Sequence, residues 1–224
     1  MIDYMSKIIE DSLPIWDECM ETPFVKGLVS GNLTEEQITK YIVEDTRYLL
    51  NYAKCYAYLI TKCQTLEEIR MIYDILSFVN EGETSVRRDF ILKHGLNDYD
   101  VETTIPDYES QIYIDSMISW CSTGTLVEGM MSILPCMLSY EYIFNKLYKE
   151  NPNMLENNPF KDILAGYVAE GMEDWCKVWS DFANKLMNTY PNSFEKCKSI
   201  FRFSSIRELE FWHMSFNNKL EFKK

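Results

Sequence analysis

The sequence is poor in the residues that bend a chain. It holds 8 glycines and 7 prolines in 224 residues, too little punctuation for a many-turned β fold and in keeping with long uninterrupted elements. Positive charge is also scarce: 22 Lys and Arg stand against 35 Asp and Glu, a net charge of −13. A chain this acidic is repelled by phosphate backbones and anionic lipid, which argues against nucleic acid and membrane partners. There are two histidines, and the seven cysteines (19, 55, 63, 121, 136, 176 and 197) are odd in number with no Cys-x-x-Cys pair. That is neither a zinc pattern nor a disulfide framework. No uncharged apolar run approaches the ~18–20 residues of a membrane span. Acids occupy the N-terminal stretch where a signal peptide needs a basic flank. The expectation is a soluble, cytoplasmic protein of a reducing compartment, with no metal site.

What the chain does have is apolar and aromatic mass, 46% and 14% of its residues. A domain of this length removes roughly 70% of its unfolded surface from water, so one core spanning residues 1–224 is expected without staples. The apolar residues recur with helical period. Ile8, Leu13, Trp16, Cys19 and Met20 mark a first amphipathic helix. Pro23 opens a second and Gly31 closes it. Thr34 and Gln37 form a capping box that opens a helix to about Lys62, and Thr65 with Glu68 repeats the signal for a helix ending before Gly95. An extended loop is predicted through Pro106. Helices follow from 108 to about 121 and from 126 to about 148, then from 160 onward, from 173 to 187, and in a last region carrying Leu209, Phe211 and Trp212. The segment 151–159 reads as a loop and 191–193 as a turn. The sum is one all-α bundle of roughly eight to ten helices, in which sites form between facing helices.

Three features carry chemistry. Asp45 shares a helix face with Tyr48 and Tyr52 at i+3 and i+7, which projects a carboxylate and phenol rings into one space; alone, it reads as readily as an acid at the solvent edge. Cys136 follows Pro135 inside a strong helical pattern. Proline removes a backbone donor and frees the Met131 carbonyl, so a kink or restart is expected, with a thiol near free amides that favour its thiolate. Tyr140 lies one turn on. The plainer alternative is a buried structural cysteine. Glu208 stands at i and i+4 with Trp212, with Phe211 between them, and a carboxyl held against such rings has a raised pKa suited to proton transfer. The alternative is an ordinary amphipathic helix, the reading given to Glu210. His94 and His213 lack ligand spacing and read as surface or edge residues. Glu-x-x-His pairs, a Gly-rich phosphate loop and a Ser nucleophile elbow are all missing.

Their order and spacing resemble the TenA/thiaminase II family over residues 16–216. The resemblance is carried by Phe24, Leu28, Gly31-Asn-Leu33 and Tyr41, then Glu44-Asp45-Thr-Arg-Tyr48-Leu and Tyr113. It continues through Leu134-Pro-Cys136-Met-Leu-Ser-Tyr140, Tyr167 and Glu208-Leu-Glu-Phe211-Trp212-His-Met214. It implies a single-domain, haem-oxygenase-like helical bundle, usually a homotetramer, that needs no cofactor. The implied activity is hydrolysis of a pyrimidine bearing an exocyclic amine, releasing ammonia from thiamin breakdown products, or cleavage of thiamin to its pyrimidine and thiazole. Cys136 is then the nucleophile, Asp45 the partner of the ring nitrogen and amine, and Glu208 the acid that handles protons. Tyr48, Tyr113, Tyr140, Tyr167 and Phe211 form the aromatic cage and its hydroxyl contacts. Glu44 departs from the family's usual glutamine and adds a charge beside Asp45. Adjacent helical positions diverge by about 100°, so Glu44 is expected to point away. A catalytically silent pyrimidine-binding or regulatory protein is the competing reading, disfavoured because a binder has no use for the thiol. A haem-degrading enzyme would need a helical His ligand, for which His94 is the loose candidate.

Overall fold

The computed structural model describes residues 1–93, 95–189, 194–217 and 219–221, and for 78–88 the backbone alone. His94 and the 191–193 turn lie outside the described residues. Among the described residues are ten α-helices: α1 (Tyr4–Glu21), α2 (Pro23–Ser30), α3 (Glu35–Ile60), α4 (Leu66–Lys93), α5 (Asp98–Thr103), α6 (Tyr108–Thr123), α7 (Leu126–Glu150), α8 (Lys161–Tyr167), α9 (Met172–Thr189) and α10 (Phe194–Asn217). The all-α expectation holds.

Local chemistry places the boundaries. Thr34 and Gln37 satisfy each other's backbone amides at the start of α3, and Thr125 with Glu128 does the same for α7. Thr65 and Glu68 exchange the equivalent bonds ahead of α4. Pro23 sits in the first turn of α2, and Gly31 ends that helix at φ +72°, a left-handed conformation that a glycine adopts without steric cost.

Two expectations are corrected. The loop predicted before Pro106 contains α5, whose capping box is Asn97 with Asp100. Asp here replaces the usual Glu or Gln, and the helix is only 6 residues long. The other correction concerns the helix restart expected at Pro135. Helix α7 runs unbroken past it from Leu126 to Glu150. Proline costs one ladder bond, but α7 is buried from Val127 to Tyr140, and packing on both sides outweighs that loss. Cys136 is therefore mid-helix and not at a new N-terminus, so no helix-end dipole acts on its thiol.

Helices α3, α6, α7 and α10 form the heart of the bundle. Helix α10 packs on α1, α2, α3, α6 and α7, while α3 also contacts α4 and α5. The core is aromatic: Trp16, Trp179, Trp212, Tyr41, Tyr52 and Phe24 are among its fully buried side chains, each contributing about 1.5–3 kcal/mol or more through the area removed from water. No described helix is long and apolar enough to cross a membrane. All seven cysteines are free thiols.

One polar residue joins α2 to the loop before α8. The buried Asn158 donates to the carbonyls of Leu28 and Val29 at 3.0 Å and of Met154 at 3.1 Å, and accepts from the Phe160 amide at 2.8 Å. Replacing it removes four hydrogen bonds to backbone groups, of which, among the described residues, the Leu28 carbonyl alone keeps another, from the Gly31 amide at 3.3 Å. Asn158→Ala is expected to cost about 2–4 kcal/mol, read as a lowered urea midpoint at unchanged slope; a loss below ~0.5 kcal/mol would show that water substitutes for the amide.

Candidate active site

Four helices converge on one small cavity. Asp45 and Tyr48 enter it from α3, Tyr113 from α6, Cys136 and Tyr140 from α7, and Glu208 and Phe211 from α10. The i, i+3 and i, i+4 spacings of these pairs put both members of each on the inward face of their helix. The cavity they enclose is about 10 Å³, the room of a single water molecule, so a ring enters only as these side chains move apart. Its walls are flat: the Tyr48 and Tyr113 rings are 4.9 Å apart and tilted, and Tyr48 and Phe211 are 6.2 Å apart.

Seven of the eight expected site residues are thus brought together. The eighth, Tyr167, does not line the cavity. It stands behind Tyr140, edge-on at 5.0 Å between ring centroids, and its hydroxyl bonds closely to that of Tyr41. Tyr41 in turn is 3.2 Å from the Tyr140 hydroxyl. In the sequence Tyr41 belongs to the family pattern and stands one helical turn before Asp45, the signal that places it beside the site; its role as a brace comes from its burial. A second brace was not foreseen. Tyr56 donates to Tyr52 at 2.9 Å, and Tyr52 donates to the Ile133 carbonyl at 3.2 Å, which props the backbone just before Pro135 and Cys136.

Electrostatics separates the groups. Glu208 is 2% exposed, and burial raises its pKa to about 8, with the Asp45 charge adding to the rise and the Tyr113 hydrogen bond opposing it. Its carboxyl therefore holds a proton at neutral pH, with Tyr113 on Oε1. Burial likewise pushes the hydroxyls of Tyr48, Tyr113 and Tyr140 well above their ordinary range, so they remain neutral hydrogen-bonding groups. Burial pushes the Cys19 and Cys176 thiols far up and Cys63 to about 11, whereas the hydrogen bond from Cys55 lowers Cys121.

Glu44 does point away from the cavity. It is completely buried, with Lys40 Nζ at 3.1 Å and Arg47 at 2.6 Å. His213 is exposed on a separate surface depression that includes Arg207 and Glu210. Glu210 is half-buried and paired with Arg207 at 2.7 Å, so its carboxylate is occupied outside the cavity. Among the described residues no cluster of three or more His, Cys, Asp or Glu has the arrangement of a metal site.

The TENA/THI-4/PQQC family matches residues 10–218. The chain belongs to that family. TenA-family relatives include the aminopyrimidine aminohydrolase of Helicobacter pylori, 25% identical over 213 residues (94% of this chain and 97% of the relative). That of Halalkalibacterium halodurans is 24% identical over 222 residues, 98% of each chain. Among solved structures, a TenA homologue from P. horikoshii superposes with a TM-score of 0.83 at 22% identity, covering 96% of this chain and 99% of that one. The chain shares the all-α fold of that structure.

The raised pKa of Glu208 has a consequence for stability. The unfolded chain releases this proton near 4.5 and the folded chain near 8. Between those values the folded state binds more protons, so stability falls as pH rises from about 4.5 and levels off above about 8, by on the order of a few kcal/mol. Glu208→Gln keeps an acceptor for Tyr113 and removes the ionisation. Its urea stability relative to wild type is expected to improve steadily between pH 5 and 8; parallel pH curves for the two proteins would refute the burial argument.

Proposed function

We propose that this chain is an aminopyrimidine aminohydrolase that salvages thiamin breakdown products, and that the same chemistry cleaves thiamin itself to its pyrimidine and thiazole. The observation that carries the reading is one aromatic-walled cavity faced at once by a thiol, an acid that is protonated at neutral pH, and a second carboxyl. The names of the relatives agree with it.

The chemistry runs as follows. The rings of Tyr48, Tyr113, Tyr140 and Phe211 hold the flat heterocycle, and Asp45 takes hydrogen bonds from its amidine-like edge. The Cys136 sulfur adds to the ring carbon while its proton passes to the ring nitrogen held at Asp45. The ring's electron pair shifts toward the exocyclic carbon as the carbon–nitrogen bond breaks, and the amine takes the Glu208 proton and departs as ammonia. Water then bonds to the exocyclic carbon and gives a proton to Glu208, and the sulfur leaves the ring carbon, recovering its proton from the ring nitrogen. The net change is water in and ammonia out. Tyr167 serves the cage from behind, by fixing Tyr41 and through it Tyr140.

The decisive experiment is ammonia release from a panel of aminopyrimidines by wild type and three variants. Cys136→Ser should lose at least ~10³ in rate with substrate binding retained. Glu208→Gln should lower the maximal rate and remove one limb of the pH–rate profile, whereas Asp45→Asn should weaken binding as well as rate. An active Cys136→Ser alongside an inactive Cys55→Ser or Cys176→Ser would sink the nucleophile assignment. Tight pyrimidine binding by wild type without ammonia release would establish the silent binder instead.

We also propose a homotetramer in the cytoplasm. Leu66, Ile69 and Tyr73 recur along α4 and are 69%, 37% and 61% exposed, an apolar stripe suited to burial against another copy. Light scattering should give about 106 kDa, four chains of 26.5 kDa; a monomer mass at micromolar concentration would overturn this.

A further inference from the structure

Next to the cavity, on the other side of α3, lies a buried ion network that the proposed chemistry does not use. Glu44 is its centre. Its Oε1 receives Lys40 Nζ at 3.1 Å and the backbone amide of Asp107 at 3.3 Å, and its Oε2 receives Arg47 at 2.6 Å. Lys40, 1% exposed, also pairs closely with the Asp107 carboxylate. Arg47 donates to the Val101 carbonyl at 3.0 Å and the Thr104 carbonyl at 3.3 Å, and touches the Thr104 hydroxyl. Two acids and two bases balance, as buried charges require.

What the network ties down is the start of α6. Asp107 precedes the first residue of that helix and makes no side-chain capping bond there, because its carboxylate goes to Lys40. Six residues further along α6 is Tyr113, whose hydroxyl lies on Glu208. Opposite it on α3 is Tyr48, at 4.9 Å between rings. Adjacent residues of α3 thus divide two tasks: Asp45 faces the cavity, while Glu44 grips the connector that carries α6.

We propose that Glu44 is a positioning residue: with Lys40, Arg47 and Asp107 it fixes the first turn of α6 against α3 and so keeps the Tyr113 hydroxyl on the Glu208 carboxyl. Weakening the network lets α6 slip and takes that hydroxyl away. The ionised form of Glu208 then loses a donor, and its titration moves to higher pH. The direction is diagnostic, because deleting a nearby negative charge would by itself move a carboxyl to lower pH. The other groups around Glu208 stay in place: Asp45 and Tyr48 on α3, Cys136 and Tyr140 on α7, and Cys19 on α1; α2 contributes the apolar Phe24 beside Trp212.

The test reads the Glu208 carboxyl directly and so stands apart from the aminohydrolase reading. Glutamates are labelled with ¹³C at Cδ, and the Glu208 signal is assigned by its loss in Glu208→Gln. The wild-type midpoint should fall near 8. Glu44→Gln and Asp107→Asn should each raise it by about one pH unit, and neither should move it further once Tyr113→Phe is in place. An unchanged midpoint with a lowered melting temperature would mean that the network only holds the fold, and would overturn the proposal. A shift that persists undiminished in the Tyr113→Phe background would overturn it as well, since the path would not run through Tyr113. Asp107 is partly exposed, at 19%, so Asp107→Asn strands less buried charge and decides the matter alone if Glu44→Gln does not fold. A protein that titrates as expected but releases no ammonia would leave this inference supported and remove the catalytic one.

Discussion

Placing a carboxyl group at the centre of an all-helical core sets the terms for everything around it. Glu208 lies where water cannot solvate its charge, and an unmet carboxyl there would cost several kcal/mol. The fold answers by keeping the group neutral and giving it one hydroxyl, from Tyr113. That answer demands that α6 and α10 be held in fixed register. The charge of Asp45 across the cavity adds to the pressure that keeps the group neutral. The tyrosines behind the cavity follow from the same constraint, since each buried hydroxyl needs a partner and finds it in another tyrosine or in a backbone carbonyl.

Much of this could be read from the chain. Helix starts were legible where a side chain caps a backbone amide by a local rule, as at Thr34 and Thr65; the box of Thr125 with Glu128 follows the same rule and was read only as a break. The helix at Asn97 escaped because its box closes with aspartate, whose shorter side chain is the rarer choice. Pro135 misled for a different reason. The cost of a missing amide is a local quantity, and the packing that outweighs it depends on α6, α9 and α10 lying against α7, which no window of sequence displays. Site residues were legible as helix-face pairs, Asp45 with Tyr48, Cys136 with Tyr140, and Glu208 with Phe211. Their convergence rested on family likeness, because periodicity says which residues share a face and nothing about which faces meet. Tyr167 shows the limit: its likeness to the pattern is sound, yet its ring is one layer removed from the cavity.

Glu44 and Asp45 make the same point at the scale of a peptide bond. The two acids are chemically alike and adjacent, and their environments differ completely. One is surrounded by two cations and a backbone amide; the other faces phenol rings and a protonated acid. The roughly 100° between successive helical positions is what turns one pair of acids into a structural group and a cavity group. A carboxylate is cheap to bury where cations already wait, and this explains how so acidic a chain tolerates a second negative charge beside its cavity.

The cavity groups sit at positions 45, 113, 136 and 208, and α10, which brings the last of them, packs on five other helices. Contacts so distant along the chain form only after large loops have closed. During synthesis, when N-terminal segments emerge first, a chain that already displays Asp45, Tyr113 and Cys136 still lacks the helix that roofs them. Until α10 docks, the parts of α1, α6 and α7 that pack on it lack that cover, and the cavity lacks Glu208 and Phe211. Assembly of the core and assembly of the chemistry are therefore a single late event, so a half-built molecule has neither.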